Sequence, residues 1–123
     1  MITQKKLITS NVINNYLNVT LPNVITDDQY EIIKKEILEK TASMNIKGVI
    51  LDVSATNFID LSMLHLFKNI IDAIKVLGKK GIVIGMNSSS VSALVHLIDE
   101  DLNIPIATCF DEAVLIINQD YEN

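Results

Sequence analysis

Two short apolar runs decide most of what this chain can become. Val49-Ile50-Leu51 and Ile82-Val83-Ile84 are continuous, and each is opened by a glycine, Gly48 and Gly81. A strand with one wet face alternates, whereas an unbroken run reads as a strand covered on both faces. Between the two runs, from about Leu61 to Leu77, the spacing is helical. It sets Met63, Phe67, Ile70, Ile74 and Leu77 on a buried face and Ser62, His65, Lys68, Asp72 and Lys75 on a wet one. Gly78 fits the C-cap of that helix. Covered strands joined through a helix imply a parallel pair with a crossover.

The flanks extend this unit. Lys5 to Thr9 and Ile13 to Leu21 read as the first two strands, with a turn expected at Ser10-Asn11. In the second, Ile13, Leu17, Val19 and Leu21 share parity opposite Asn14, Asn18 and Thr20; Asn15 breaks the pattern. Thr26-Asp27-Asp28-Gln29 resembles a capping box. The helix behind it is expected to run to about Met44, with Tyr30, Ile33, Ile37 and Met44 inward. Glu31 with Lys35, and Glu36 with Lys40, would pair outside. Asn87-Ser88-Ser89-Ser90 is a turn with several N-cap residues, followed by a short amphipathic helix carrying Val91, Leu94, Val95 and Ile98. Ile104 to Thr108 reads as a last strand, at an edge because of Pro105. A final helix from about Asp111 to Asn118 turns Val114 and Ile117 inward. The class is α/β: a mixed, mostly parallel five-stranded sheet with an N-terminal hairpin and about four helices, in a single domain over residues 1–123.

Composition narrows the function. With 123 residues, 49% hydrophobic and 20% charged, the chain can build one ordinary core. A net charge of −5 argues against a nucleic-acid or anionic-membrane surface. The single cysteine, Cys109, permits no internal disulfide and suits a reducing compartment; beside Phe110 it is expected to be buried and inert. No run of about 18 apolar residues suggests a membrane span. The opening MITQKKLITS is too broken by polar residues for a secretory signal. The expected location is cytoplasmic.

Catalytic patterns are not found. Gly78-Lys79-Lys80-Gly81 lacks the spacing and the Ser/Thr of a P-loop, and no G-x-G-x-x-G occurs. His65 and His96 have no second histidine at metal-binding spacing. Asp52 closes a strand as a receiver phosphoacceptor does. The acidic pair that would hold magnesium is replaced by Thr9, Ser10 and Asn11, so its expected role is to fix the corner through backbone N–H groups. Ser88, Ser89 and Ser90 read as turn and cap residues, with an anion site or a kinase target as the sharper alternative. The expectation is a non-enzyme with no cofactor and no metal.

At Asp52-Val53-Ser54, and then Asn57-Phe58-Ile59-Asp60-Leu61-Ser62, the sequence resembles a STAS domain. This is the fold of bacterial anti-sigma-factor antagonists, also found as the cytoplasmic tail of sulfate transporters. The order of elements, the length and Gly85-Met86 after the fourth strand agree over nearly the whole chain. Thr26-Asp27-Asp28-Gln29 brings it nearest to the single-domain stressosome type called RsbS. The resemblance implies partner switching: a kinase phosphorylates the serine or threonine directly after the helix-opening aspartate. That position is Leu61 here, which has no hydroxyl. Ser62 is then either a second capping hydroxyl or a displaced phosphorylation site, turned about 100° around the helix.

The resemblance therefore implies a module that docks a serine-kinase anti-sigma factor or packs into a stressosome scaffold as a homo- or hetero-oligomer. Asn57, Phe58, Asp60, Leu61, Ser62, His65, Ser88 and Ser89 would form the docking surface, shaped by Asp52 and Ser54. The alternative is a small-ligand sensor or enzyme with Asp52, Asp60 and Ser88 lining a pocket at the strand ends.

Overall fold

A computed structural model describes residues 6–87 and 103–122 of the chain. The chain enters the sheet as a hairpin. Strands β1 (Thr9–Ile13) and β2 (Tyr16–Thr20) pair antiparallel, with Ile13 opposite Tyr16. Asn14 and Asn15 form the turn, with φ of 51° and 70°. A two-residue hairpin of the primed type needs positive φ at both central positions, and asparagine tolerates it. This corrects the turn expected at Ser10-Asn11 and, over the described residues 6–9, the expected first strand, which begins only at Thr9; Lys5 lies outside the described residues. The break in alternation at Asn15 is the turn itself.

The remaining strands β3 (Gly48–Asp52), β4 (Lys80–Ile84) and β5 (Ile106–Ala107) add in parallel, giving the order β1-β2-β3-β4-β5. Helices α1 (Tyr30–Ser43) and α2 (Leu61–Val76) cover one face, and α3 (Phe110–Glu122) covers the other. Val49, Leu51 and Val83 point into the first core with Leu17 and Val19. Ile50, Ile82 and Ile84 point into the second with Tyr16, Ala113 and Ile117. That two-sided burial is the reason both runs are unbroken in the sequence.

Helix α1 follows a short 3-10 turn over Asp27–Gln29, and the Thr26 N–H donates to Gln29 Oε1 at 3.1 Å. Ile33 and Ile37 are fully buried, and Tyr30 and Met44 pack partly against the same core. The outer ion pairs differ from those expected. Lys35 reaches Glu39 at 3.9 Å. Glu36 accepts from the N–H groups of Leu7 and Ile8, and Lys40 donates to Ser10 Oγ. The chain crossing α1 offers backbone donors to a carboxylate that is only partly exposed, and these outcompete a screened surface pair. Lys79 Nζ donates to the Thr41 and Met44 carbonyls at 2.7 and 2.8 Å, satisfying the C-terminal end of α1.

Three further expectations are corrected. Leu77 is 41% exposed because α2 ends at Val76 and Leu77 is its C-cap. β5 is shorter than Ile104–Thr108: its ladder starts at Ile106, since Pro105 has no N–H to donate. Cys109 is exposed. It lies in the bend between β5 and α3, where Phe110 rather than Cys109 packs against the second core. Ser88 to Ser90, the helix from Val91 to Ile98, and His96 lie outside the described residues. No described helix is long and apolar enough to cross a membrane.

Candidate functional site

The corner between β3 and α2 is stitched from both sides. Asp52 Oδ1 accepts from the Ser54 N–H at 2.9 Å, the local turn expected of it. The Asp52 carbonyl accepts from the Leu21 N–H, and the Val53 N–H donates to the Ile84 carbonyl, both at 3.0 Å. Further out, the Thr56 hydroxyl donates to the Pro22 carbonyl and the Asn57 N–H to the Asn23 carbonyl, each at 2.9 Å. The loop is thus tied to the loop after β2 and to the end of β4.

Asp60 closes the corner and starts α2. Its backbone is extended, with φ −108°, and its Oδ1 accepts from the Met63 N–H at 2.9 Å. This is a carboxylate N-cap that also complements the helix dipole. Asp60→Ala is expected to lose about 1 kcal/mol of stability, whereas Asp60→Asn should lose only a few tenths. Urea denaturation of the three proteins measures the difference.

Behind the cap, Tyr30 senses the corner's charge. Its hydroxyl is held above its ordinary pKa of 10.0, first by burial, then by the carboxylates of Asp60 and Asp27. The neutral phenol is therefore favoured in the folded chain. Its contribution is complete below the unfolded value near pH 10 and is lost as pH rises through the higher folded value. Stability should fall more steeply above pH 10 in the native chain than in Tyr30→Phe, as chemical denaturation across that range will show.

The cap leaves a mixed surface. Phe58 is 75% exposed and Leu61 is 41% exposed, while Met63, Leu64 and Leu66 belong to the core. Ser54, Asn57, Ser62, His65 and Asn69 are exposed and Ile59 is partly covered. Ser62, His65 and Asn69 therefore share the solvent side of α2, as helical spacing predicts. Ser88 and Ser89 lie outside the described residues. Sequence reasoning missed Val24, which is 65% exposed and sits beside Asn23, the residue bonded to Asn57. Its signal was an isolated apolar residue just before a helix cap, outside any periodic run.

The geometry brings Asp52 and Asp60 to one corner but gives each a separate structural task. Among the described residues no cluster of three or more His, Cys, Asp or Glu side chains converges. A groove of about 430 Å³ opens elsewhere, at the other end of β4, lined by Lys75, Lys79, Lys80, Gly81, Ile82 and Ile117 among others.

No family model and no curated protein matches the chain by sequence. Solved structures do match it in shape. A variant of RsbS from Moorella thermoacetica is 16% identical, with a TM-score of 0.74 over 94% of this chain and 98% of that one. A chain from the stressosome, a signal integration and transduction hub, is 16% identical at TM-score 0.75, over 94% and 100%. An anti-sigma-factor antagonist (STAS) domain protein from Planctomyces limnophilus is 19% identical at TM-score 0.68, over 90% and 97%.

Proposed function

From the STAS fold that these likenesses show, we propose that the chain is a regulatory, non-enzymatic protein-binding module whose docking edge is the β3–α2 corner. The observation that carries this is Phe58: a large aromatic side chain, 75% exposed, on a corner held by four hydrogen bonds to neighbouring segments and by the Ser54–Asp52 bond within it. An aromatic anchor on a rigid mount loses little entropy on binding, which favours recognition. Leu61, three residues on, and Val24, next to the Asn23 that holds Asn57, are exposed apolar side chains at the same corner.

The partner on this reading is a serine-kinase anti-sigma factor or a STAS protein of a stressosome-like scaffold. The chemistry of Leu61 then sets the regulation. A phosphoserine there would add about 1.5 to 2 negative charges to an interface that is otherwise apolar. Leucine holds the surface in the unmodified state permanently. Ser62 points to the solvent side with His65, turned away from Leu61, as a helix residue one position on must be.

Incubation with the serine kinase and ATP tests the regulation. The native chain should take up no phosphate, and Leu61→Ser should restore modification at that position. A phosphate mapped to Ser62 in the native chain would contradict the locked state and show a displaced switch. Native mass spectrometry with the kinase and with scaffold STAS proteins tests docking itself. Failure to bind any of them would remove the proposal's support.

A further inference from the structure

The two edges of the sheet are built differently. At the β5 edge only Val83 and Ile84 of β4 are paired, Pro105 withholds a donor, and Lys75 and Lys80 stand close by. Proline, lysine and a very short strand are the usual guards against edge pairing. β1 itself is five residues long and contains neither proline nor lysine, although Lys40 of α1 donates to its Ser10 Oγ. Thr9-Ser10-Asn11-Val12-Ile13 carries no charge and no proline, and it pairs with β2 in unbroken register.

The hairpin register shows which groups face outward. In a two-residue hairpin the residues flanking the turn exchange both backbone hydrogen bonds. Ile13, Asn11 and Thr9 therefore bond to β2, leaving the N–H and C=O of Ser10 and Val12 directed away from it, on the side where no other described strand pairs. Val12 is 51% exposed, and Ile13 beside it is exposed as well. The strand carries no charge of its own on a chain of net charge −5, and the ammonium bonded to it, that of Lys40, is held by Ser10 Oγ, so pairing brings none of the strand's own side chains into like-charge repulsion.

We propose that β1 pairs with β1 of a second copy of this chain, antiparallel about a two-fold axis at Asn11. Ser10 of one copy then faces Val12 of the other, exchanging four backbone hydrogen bonds and continuing the sheet across both subunits. The pairing is self-complementary, as a two-fold interface requires. This pairing uses no residue of the β3–α2 corner, so it stands or falls apart from the docking reading.

Sedimentation velocity over low-micromolar to sub-millimolar concentrations tests it on the full chain. The native protein should pass from monomer to dimer. Val12→Lys puts a charge on an already exposed site and should weaken the dimer about tenfold or more. Ser10→Pro removes an outward N–H without touching the β2 ladder and should act likewise. Circular dichroism confirms that both variants are folded. Phe58→Asp at the corner and Leu115→Lys on the exposed side of α3 should leave the dimer unchanged. A monomer at every concentration overturns the proposal. So does a dimer that survives Val12→Lys, or one lost in Phe58→Asp. Pairing of β1 only with a different STAS protein would overturn the assignment of a second copy.

Discussion

Gly85→Ala is expected to destabilise the chain by about 2–4 kcal/mol, a large share of the roughly 5–15 kcal/mol that holds a domain of this size. Gly85 follows β4 with φ +85°, a region that costs a non-glycine residue about 1–2 kcal/mol. An added Cβ would also stand 2.7 Å from the Ser54 N, 2.8 Å from its Cβ and 2.9 Å from Asp52 Oδ1. The Ser54 N–H and the Asp52 carboxylate are the two ends of the hydrogen bond that sets the corner. Relieving the overlap means breaking that bond or moving β4, which adds a term of about 1–3 kcal/mol. Gly78 provides the control. Its φ is +82°, but nothing lies within 4 Å of an added Cβ. Gly78→Ala should therefore cost only the backbone term of about 1 kcal/mol. The difference between the two variants in urea denaturation isolates the contact with the corner. Equal losses would mean that Gly85 is needed for its φ alone.

Phe58→Asp should do the opposite, leaving stability intact and removing binding. The ring is three-quarters exposed, so the folded chain loses little packing, and stability should change by no more than about 0.5 kcal/mol. At a docked interface the same change removes an aromatic anchor and places a carboxylate against apolar surface. A loss of about 2–4 kcal/mol in affinity, roughly 30- to 1,000-fold, is the expected result with a serine-kinase or scaffold partner. Isothermal titration measures it. A partner that binds the variant as well as the native chain does not use this edge.

What could be read in the sequence followed from how many positions share one constraint. β3, β4 and α2 were legible because burial acts on every residue along them: Val49 to Leu51, Ile82 to Ile84, and the helical repeat from Met63 to Ile74. The N-terminal hairpin was misplaced because β1 is an edge strand with almost no buried face, so alternation cannot mark it. Asn14-Asn15 was the real signal, carried by backbone conformation rather than polarity. The outer charges of α1 were misassigned because helical spacing knows only local partners. Glu36 and Lys40 found theirs in residues 7 to 10, brought across by the tertiary fold.

The site divides in the same way. Asp60 as cap and Asp52 as corner pin are short-range bonds that the sequence implies through Asp at a helix start and Asp two residues before a free N–H. The exposure of Phe58 was implied only by its place in a polar loop between those two acids. Val24 joins the same surface through the bond between Asn57 and Asn23, separated by more than thirty residues along the chain. Spacing along the sequence carries no trace of such a neighbour. Cys109 failed for a related reason: the short β5 stops before the parity that would have carried it inward.

Hydrogen–deuterium exchange of the chain alone and in complex with a serine-kinase or STAS scaffold partner examines the docking edge without any substitution. Amides from Ser54 to Leu61 and around Val24 should slow on complex formation, while those of α3 keep their free rates. Protection confined to α3 or to the groove beside Gly81, with the corner exchanging as before, would contradict a docking role for Phe58 and its neighbours.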